Sequence, residues 1–172
     1  MKFLIFSDSH KATLNMMSVI DRQTEAMDGI IHLGDCAEDA ELLAQCYPNA
    51  SVYSVSGNCD FGASLFGGAP EERIINADGF RILLVHGHNQ GVKSGTARLE
   101  SYASMRGVDA VLFGHTHEKC DYCSVDDDGK RLYVFNPGSV SRPSSGEPSF
   151  GLLTVVGGQL LLSHGDVYSR KS

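Results

Sequence analysis

The sequence predicts an α/β fold, with a parallel first half and a more antiparallel last third. Three observations carry this. From the N-terminus, short apolar runs alternate with helical patterns in the order strand–helix–strand–helix–strand, which favours a parallel sheet with right-handed crossovers. Toward the C-terminus, strand-like runs instead flank tight-turn signals. Finally, 172 residues with 42% hydrophobic and 20% charged side chains suit one globular domain, taken as 1–172.

Lys2–Phe6 reads as a buried strand. Ala12–Glu25 reads as a helix, with Met16, Val19 and Ile20 at helical spacing. Gly29–Leu33 is a second apolar run, and Ala37–Cys46 a second helix. Pro48-Asn49 marks a turn before a strand over Ser51–Val55. Gly57–Pro70, rich in Gly and small residues, reads as loop. Arg73–Asn76 and Phe80–Val85 are strands about an Ala77-Asp78-Gly79 turn. Thr96–Arg106 is a helix with Leu99, Tyr102 and Ala103 on one face and Gly107 placed to end it. Ala110–Phe113 is a further buried strand. Cys120–Val125 and Arg131–Phe135 flank Asp126-Asp127-Asp128-Gly129, and Leu152–Val156 and Gln159–Leu162 flank Gly157-Gly158, both hairpin signals.

The formal net charge of −7 argues against duplex nucleic acid and anionic membranes as partners, since both reward a basic patch. A small anionic substrate stays open, because bound metal can make one pocket positive. The opening apolar run is too short for a signal-peptide core, and no run approaches the ~20 residues that span a bilayer. Five irregularly spaced cysteines suit reduced thiols, so the expected compartment is the cytoplasm. Cys120 and Cys123 form C-x-x-C without the second pair that zinc wants, and read as strand cysteines. Neither a P-loop nor a Gly-x-Gly-x-x-Gly motif is present.

Metal-type residues recur just after apolar strands. The first strand is followed by Asp8-Ser9-His10, the second by Gly34-Asp35, the third by Gly57-Asn58-Cys59-Asp60. Phe80–Val85 is followed by His86-Gly87-His88, and Ala110–Phe113 by Gly114-His115-Thr116-His117. Each motif alone is commonplace turn or surface chemistry. Together they are not, because open α/β sheets bind ligands outside the carboxyl ends of their strands. Ionisable groups gathered there are costly unless paired or metal-bound.

In these motifs, and in Asn136-Pro137-Gly138-Ser139, the chain resembles the calcineurin-like metallophosphoesterases, in particular their small YfcE-type phosphodiesterase branch. The resemblance spans nearly the whole chain. It implies a four-layer α-β-β-α sandwich of two mixed sheets with flanking helices. It also implies two metal sites: Asp8, His10 and His117 for one ion, Asn58, His86 and His115 for the other, with Asp35 bridging. The oxygen and nitrogen donors suit manganese first, with iron, nickel or zinc as alternatives. Two divalent ions against two aspartates and a bridging hydroxide leave about one positive charge to attract an anion. That hydroxide is the expected nucleophile on a phosphate diester.

Asn58, Cys59, Asp60 and His88 are the expected catalytic residues. Cys59 departs from the family, many of whose members carry His after the metal-binding Asn; it reads equally as a small space-filling residue. His88 reads as a substrate contact or an ordinary outer histidine. Asn136–Ser139 is expected beneath the site, orienting ligands. His32 and His164 sit in strand-like runs and read as structural. Arg142 reads as a phosphate contact or a surface residue. The expected partner is a small phosphate ester, and pairing of copies through a sheet edge is compatible with the pattern. The competing function is a non-catalytic protein-binding scaffold, since a retromer subunit shares the fold with a degraded metal site. Complete ligand positions favour the enzyme.

Overall fold

The computed structural model describes residues 1–60, 68–126 and 128–168. Of the expected 57–70 loop, 61–67 lie outside the described residues, as does Asp127 of the expected hairpin turn.

The chain runs β1 (Lys2–Phe6), α1 (Thr13–Asp21), β2 (Gly29–His32), α2 (Ala37–Cys46), β3 (Ser51–Ser54), β4 (Glu72–Ala77), β5 (Phe80–Val85), α3 (Ala97–Arg106), β6 (Ala110–Leu112), β7 (Lys119–Val125), β8 (Arg131–Pro137), β9 (Ser149–Val156) and β10 (Gln159–Asp166). Two five-stranded mixed sheets result, ordered β10-β9-β1-β2-β3 and β4-β5-β6-β8-β7.

Strand alternation builds four layers. In β1, Phe3 and Ile5 turn inward with Ile31, Leu84, Leu112, Phe135 and Leu153, forming the core between the sheets. Leu4 and Phe6 turn outward onto Met16, Val19 and Leu43 of α1 and α2. On the other sheet, Leu83, Val111 and Val134 face outward to Leu99 and Ala103 of α3. Strands covered on both faces admit a polar side chain only where it is hydrogen-bonded, as at their ends, which is why their middles read as apolar runs.

Strands β1, β2 and β3 are parallel, as are β5, β6 and β8. The last third is only partly antiparallel. β7–β8 and β9–β10 are hairpins, but β8 runs parallel to β6, and β9 returns to lie antiparallel beside β1. The two sheets therefore do not divide the chain into halves. Helix α1 is shorter than expected. It ends at Asp21, and the following residues instead lead to Asp28, whose N–H donates to Lys2 O as β2 begins. Gly107 ends α3 in the left-handed region, at φ 65°. Cys120 and Cys123 lie on β7 three residues apart, hence on opposite faces, and both are free thiols.

Candidate metal centre

The loops after β1, β2, β3, β5 and β6 converge at one end of the sandwich. Asp8, His10, Asp35, His115 and His117 all adopt the left-handed region, with φ between 44° and 68°. Such conformations cost about 1–3 kcal/mol each for non-glycine residues and cluster at functional sites. Two glycines permit the close approach. A Cβ at Gly57 would strike Asp35, and one at Gly114 would strike the side chains of Ser7 and Asp8.

Asp8, His10, Asp35 and His117 offer ligand atoms that all lie within 4.8 Å of one another. His117 donates from Nδ1 to Arg142 O at 2.5 Å, which leaves the Nε2 lone pair facing Asp8 Oδ1 at 3.2 Å and His10 Nε2 at 3.4 Å. Asp8 Oδ1 is buried without a hydrogen-bond partner among the described residues. Its distance to His117 is that of an ion pair, but the alignment is not that of a hydrogen bond.

A second convergence adjoins the first. His86 is buried and donates from Nδ1 to Leu33 O at 2.7 Å. Its Nε2 therefore turns a lone pair toward Asn58 Oδ1 at 3.2 Å, Asp35 Oδ1 at 3.4 Å and Asp8 Oδ1 at 4.0 Å. Acceptors facing acceptors at these distances repel unless a cation stands between them. His115 lies beside this group, its ring 5.0 Å from that of His86. The donor set of carboxylates, imidazoles and one amide oxygen fits divalent transition metals at both positions.

The electrostatics agree. Burial pushes the Asp8 carboxyl up, but the facing His117, with His86 and Ser7, brings it below its ordinary value. His117 is raised, chiefly by Asp8 and against its own burial. Burial, with His86 and Lys93 nearby, lowers His115 to about 4, so its ring is neutral at pH 7. Burial also lowers His88, whose Nδ1 is buried without a partner among the described residues; its ring is 5.4 Å from His86.

The remaining expected residues differ in what they touch. Cys59 is exposed, its backbone N–H donates to Asp35 Oδ1 at 2.9 Å, and burial with the adjacent Asp35 raises its thiol to about 11. The Asp60 carboxylate is taken up by four backbone N–H groups: Asp35 at 3.1 Å, Cys36 at 2.9 Å, Ala37 at 2.8 Å and Gly57 at 2.7 Å. It thereby caps α2 in place of Cys36, which makes no side-chain cap. Asn136 donates to Gly114 O and Thr116 Oγ1, bracing the His115–His117 loop. Ser139 Oγ donates to Asp8 O at 2.9 Å and also accepts from Arg142 N. The Asn-Pro-Gly-Ser segment thus lies beneath the site.

His32 is fully buried. It accepts from Gly34 N and bonds Ser9 Oγ at 2.9 Å, and Ser9 in turn donates to Asp39 at 2.6 Å. His164 bonds Asn136 O and stacks on Phe135. The Arg142 side chain is exposed, and the contribution of this residue to the site is its carbonyl. Sequence reasoning missed Ser7, which donates to Asp8 Oδ2 at 2.6 Å, and Ser141, which donates to Asp8 O at 3.0 Å. Adjacency to Asp8 was a signal for Ser7; Ser141 had none.

The calcineurin-like phosphoesterase superfamily domain matches residues 1–158. The chain is 31% identical to the probable metallophosphoesterase YsnB of Bacillus subtilis over 90% of this chain and 85% of that one. It is 29% identical to a phosphodiesterase of Methanocaldococcus jannaschii, over 89% and 92%. It is 32% identical to the phosphodiesterase YfcE of Escherichia coli K12 over 59% and 52%. Among solved structures, a Streptococcus pneumoniae protein described as a predicted phosphoesterase superposes with TM-score 0.74 at 23% identity, covering 96% of this chain and 89% of that one. Vps29 of Entamoeba histolytica complexed with zinc superposes with TM-score 0.66 at 22% identity, covering 97% and 99%. At these identities the structural likeness shows the fold.

Proposed function

The chain belongs to the calcineurin-like phosphoesterase superfamily, and we propose on that basis that it is a binuclear metal-dependent phosphodiesterase. The observation that carries this is the pair of adjoining convergences, where lone pairs of Asp8, His10, Asp35 and His117, and of Asp35, Asn58 and His86, face one another with Asp8 Oδ1 left unsatisfied. In this reading the first set holds one ion, the second set with His115 holds the other, and Asp35 spans both. Manganese is the proposed metal, with iron, nickel and zinc as alternatives. Bound there, two divalent ions would make a nucleophile from water near neutral pH and neutralise the charge developing on a phosphate diester in line with it.

The chain's own residues orient this chemistry. The Nδ1 bonds of His86 to Leu33 O and of His117 to Arg142 O fix ring and tautomer, which is how outer partners sharpen metal ligands. Asp60 positions the Asp35 loop rather than meeting substrate. His88, with its free Nδ1, is placed to hydrogen-bond a leaving oxygen beside Asn58, and the Cys59 thiol is a weaker donor there. We take the substrate to be a small phosphate ester and the setting to be cytoplasmic. No helix among the described residues is long and apolar enough to cross a membrane.

The test is turnover of phosphate mono- and diesters by metal-stripped protein, with each divalent ion restored in turn. Hydrolysis of bis(p-nitrophenyl) phosphate should return with metal and be nearly abolished in Asp35→Asn. Full activity in the presence of chelator would overturn the mechanism. A scaffold reading draws on the Vps29 likeness; tight metal binding with no turnover of any ester would favour it.

A further inference from the structure

A cleft of about 390 Å³ opens beside the metal centre, lined by Glu71, Glu72, Asn89, Gln90, Arg98 and Tyr102. It begins where His88 ends. Gln90 N–H donates to Gly87 O and Gly91 N–H to His88 O, both at 3.1 Å, so Asn89 and Gln90 form the turn that follows His88. The His88 ring lies 5.4 Å from His86 and 6.1 Å from His115. His88 thus joins the metal cluster to the cleft through the chain, and Glu71, which lines the cleft, is one of the charges acting on it.

Every lining side chain carries a polar group, while the Tyr102 ring and the aliphatic stems make nearly half of the surface apolar. Glu72 is compensated, since it receives both Tyr102 Oη–H and Arg106. Glu71 accepts only a long bond from Asn89, at 3.4 Å. Arg98 and the Gln90 carboxamide have no hydrogen-bond or ion-pair partner among the described residues. The Arg98 guanidinium lies over the turn, where a Cβ on Gly91 would come within 3.5 Å of it. The free groups therefore comprise donors, acceptors and an aromatic ring, with Glu71 and Arg98 balancing in charge.

We propose that this cleft receives the organic part of the ester, and that this part is a neutral, polyhydroxylated group of sugar-like size. The inference rests on the phosphodiesterase reading of the adjoining centre. Hydroxyls both donate and accept, and so suit Gln90, Arg98 and Glu71 together. An apolar group would desolvate these side chains without replacing their bonds to water. Glu71 opposes a second anionic group as Arg98 opposes a cationic one, so the balanced pair favours a neutral group. The volume is within the range of small-molecule sites, and a pocket built on hydrogen bonds discriminates strongly against analogues lacking the matching hydroxyls.

Two p-nitrophenyl phosphodiesters of equal ring size test this: one esterified by the 6-hydroxyl of glucose, the other by cyclohexylmethanol. Metal-restored wild type should prefer the glucose ester by about tenfold or more in kcat/KM, mostly through KM. Arg98→Met and Gln90→Leu should each cut that preference severalfold, and the double variant should bring it near unity. Bound metal and melting temperature should match wild type in all three, so that a change in preference is read at the cleft and not at the metal centre or the fold. A wild-type ratio near unity, or a preference that survives the double variant, overturns the proposal. If no diester is hydrolysed, the phosphodiesterase reading fails instead. Calorimetry of glucose 6-phosphate binding to metal-loaded protein then reads the cleft by itself. About tenfold weaker binding to the double variant supports the cleft, and equal or absent binding sinks it.

Discussion

Replacing Asp60 by Asn separates a residue that positions the metal centre from one that performs chemistry. Its two oxygens accept four backbone N–H groups at 2.7–3.1 Å, two on each oxygen. Asn keeps one oxygen and turns an NH2 group toward the other two donors. A buried N–H without an acceptor costs about 1–3 kcal/mol, and these groups are only partly buried, so the two together cost about 2–3 kcal/mol. Loss of a negative charge at the N-terminus of α2 adds about 0.3–1 kcal/mol. The expected destabilisation is about 3 kcal/mol, or about 6–12 °C in Tm for a chain of this size. Urea denaturation of metal-free protein measures it, with an unchanged slope expected. Manganese affinity should fall by about tenfold or more, because Asp35 is held through its own N–H by Asp60. A loss under about 0.5 kcal/mol with unaltered metal affinity refutes the reasoning. If Asp60→Asn lost kcat alone, Asp60 would be acting on the substrate.

Other expectations follow from neighbouring geometry. His115 and His117 should bind different ions, since His117 faces Asp8 and His10 while His115 lies against His86; anomalous scattering from metal-loaded crystals decides this, and both on one ion refutes it. Cys59→Ser should keep most activity on aryl diesters, because the contact to Asp35 Oδ1 comes from the backbone N–H and survives. Cys59→His should speed turnover of esters with poorer leaving groups if the larger ring fits, and rates across leaving groups of rising pKa measure both variants. Gly114→Ala should lower stability by about 1–3 kcal/mol and weaken metal binding, since its Cβ overlaps Ser7 and Asp8; calorimetry giving wild-type values for both would contradict the packing described.

Much of the fold and site was legible because it is written locally. Apolar runs covered on both faces announce strands, and the positions of Asp8, Asp35, Asn58, His86 and His115 just past them announce a shared edge, since parallel strands end on the same side. Helix α2 was readable to the residue, and so was the stop at Gly107. The family's four layers agree with this pattern.

What only the tertiary structure decided is non-local. Nothing near β9 in sequence says that it pairs with β1, because an antiparallel partner is selected by the open edge and the facing core, not by its neighbours in the chain. Asp60 reads from the sequence as a residue that orients a catalytic neighbour, but which neighbour it holds is decided only when the loop after β2 folds against it and claims both oxygens. The left-handed backbone at Asp8, His10, Asp35, His115 and His117 is likewise invisible in residue type, since these side chains do not require it. That conformation holds only because contacts from distant segments over-determine it, among them Ser139 and Ser141 on the Asp8 carbonyl and Asp60 beneath Asp35.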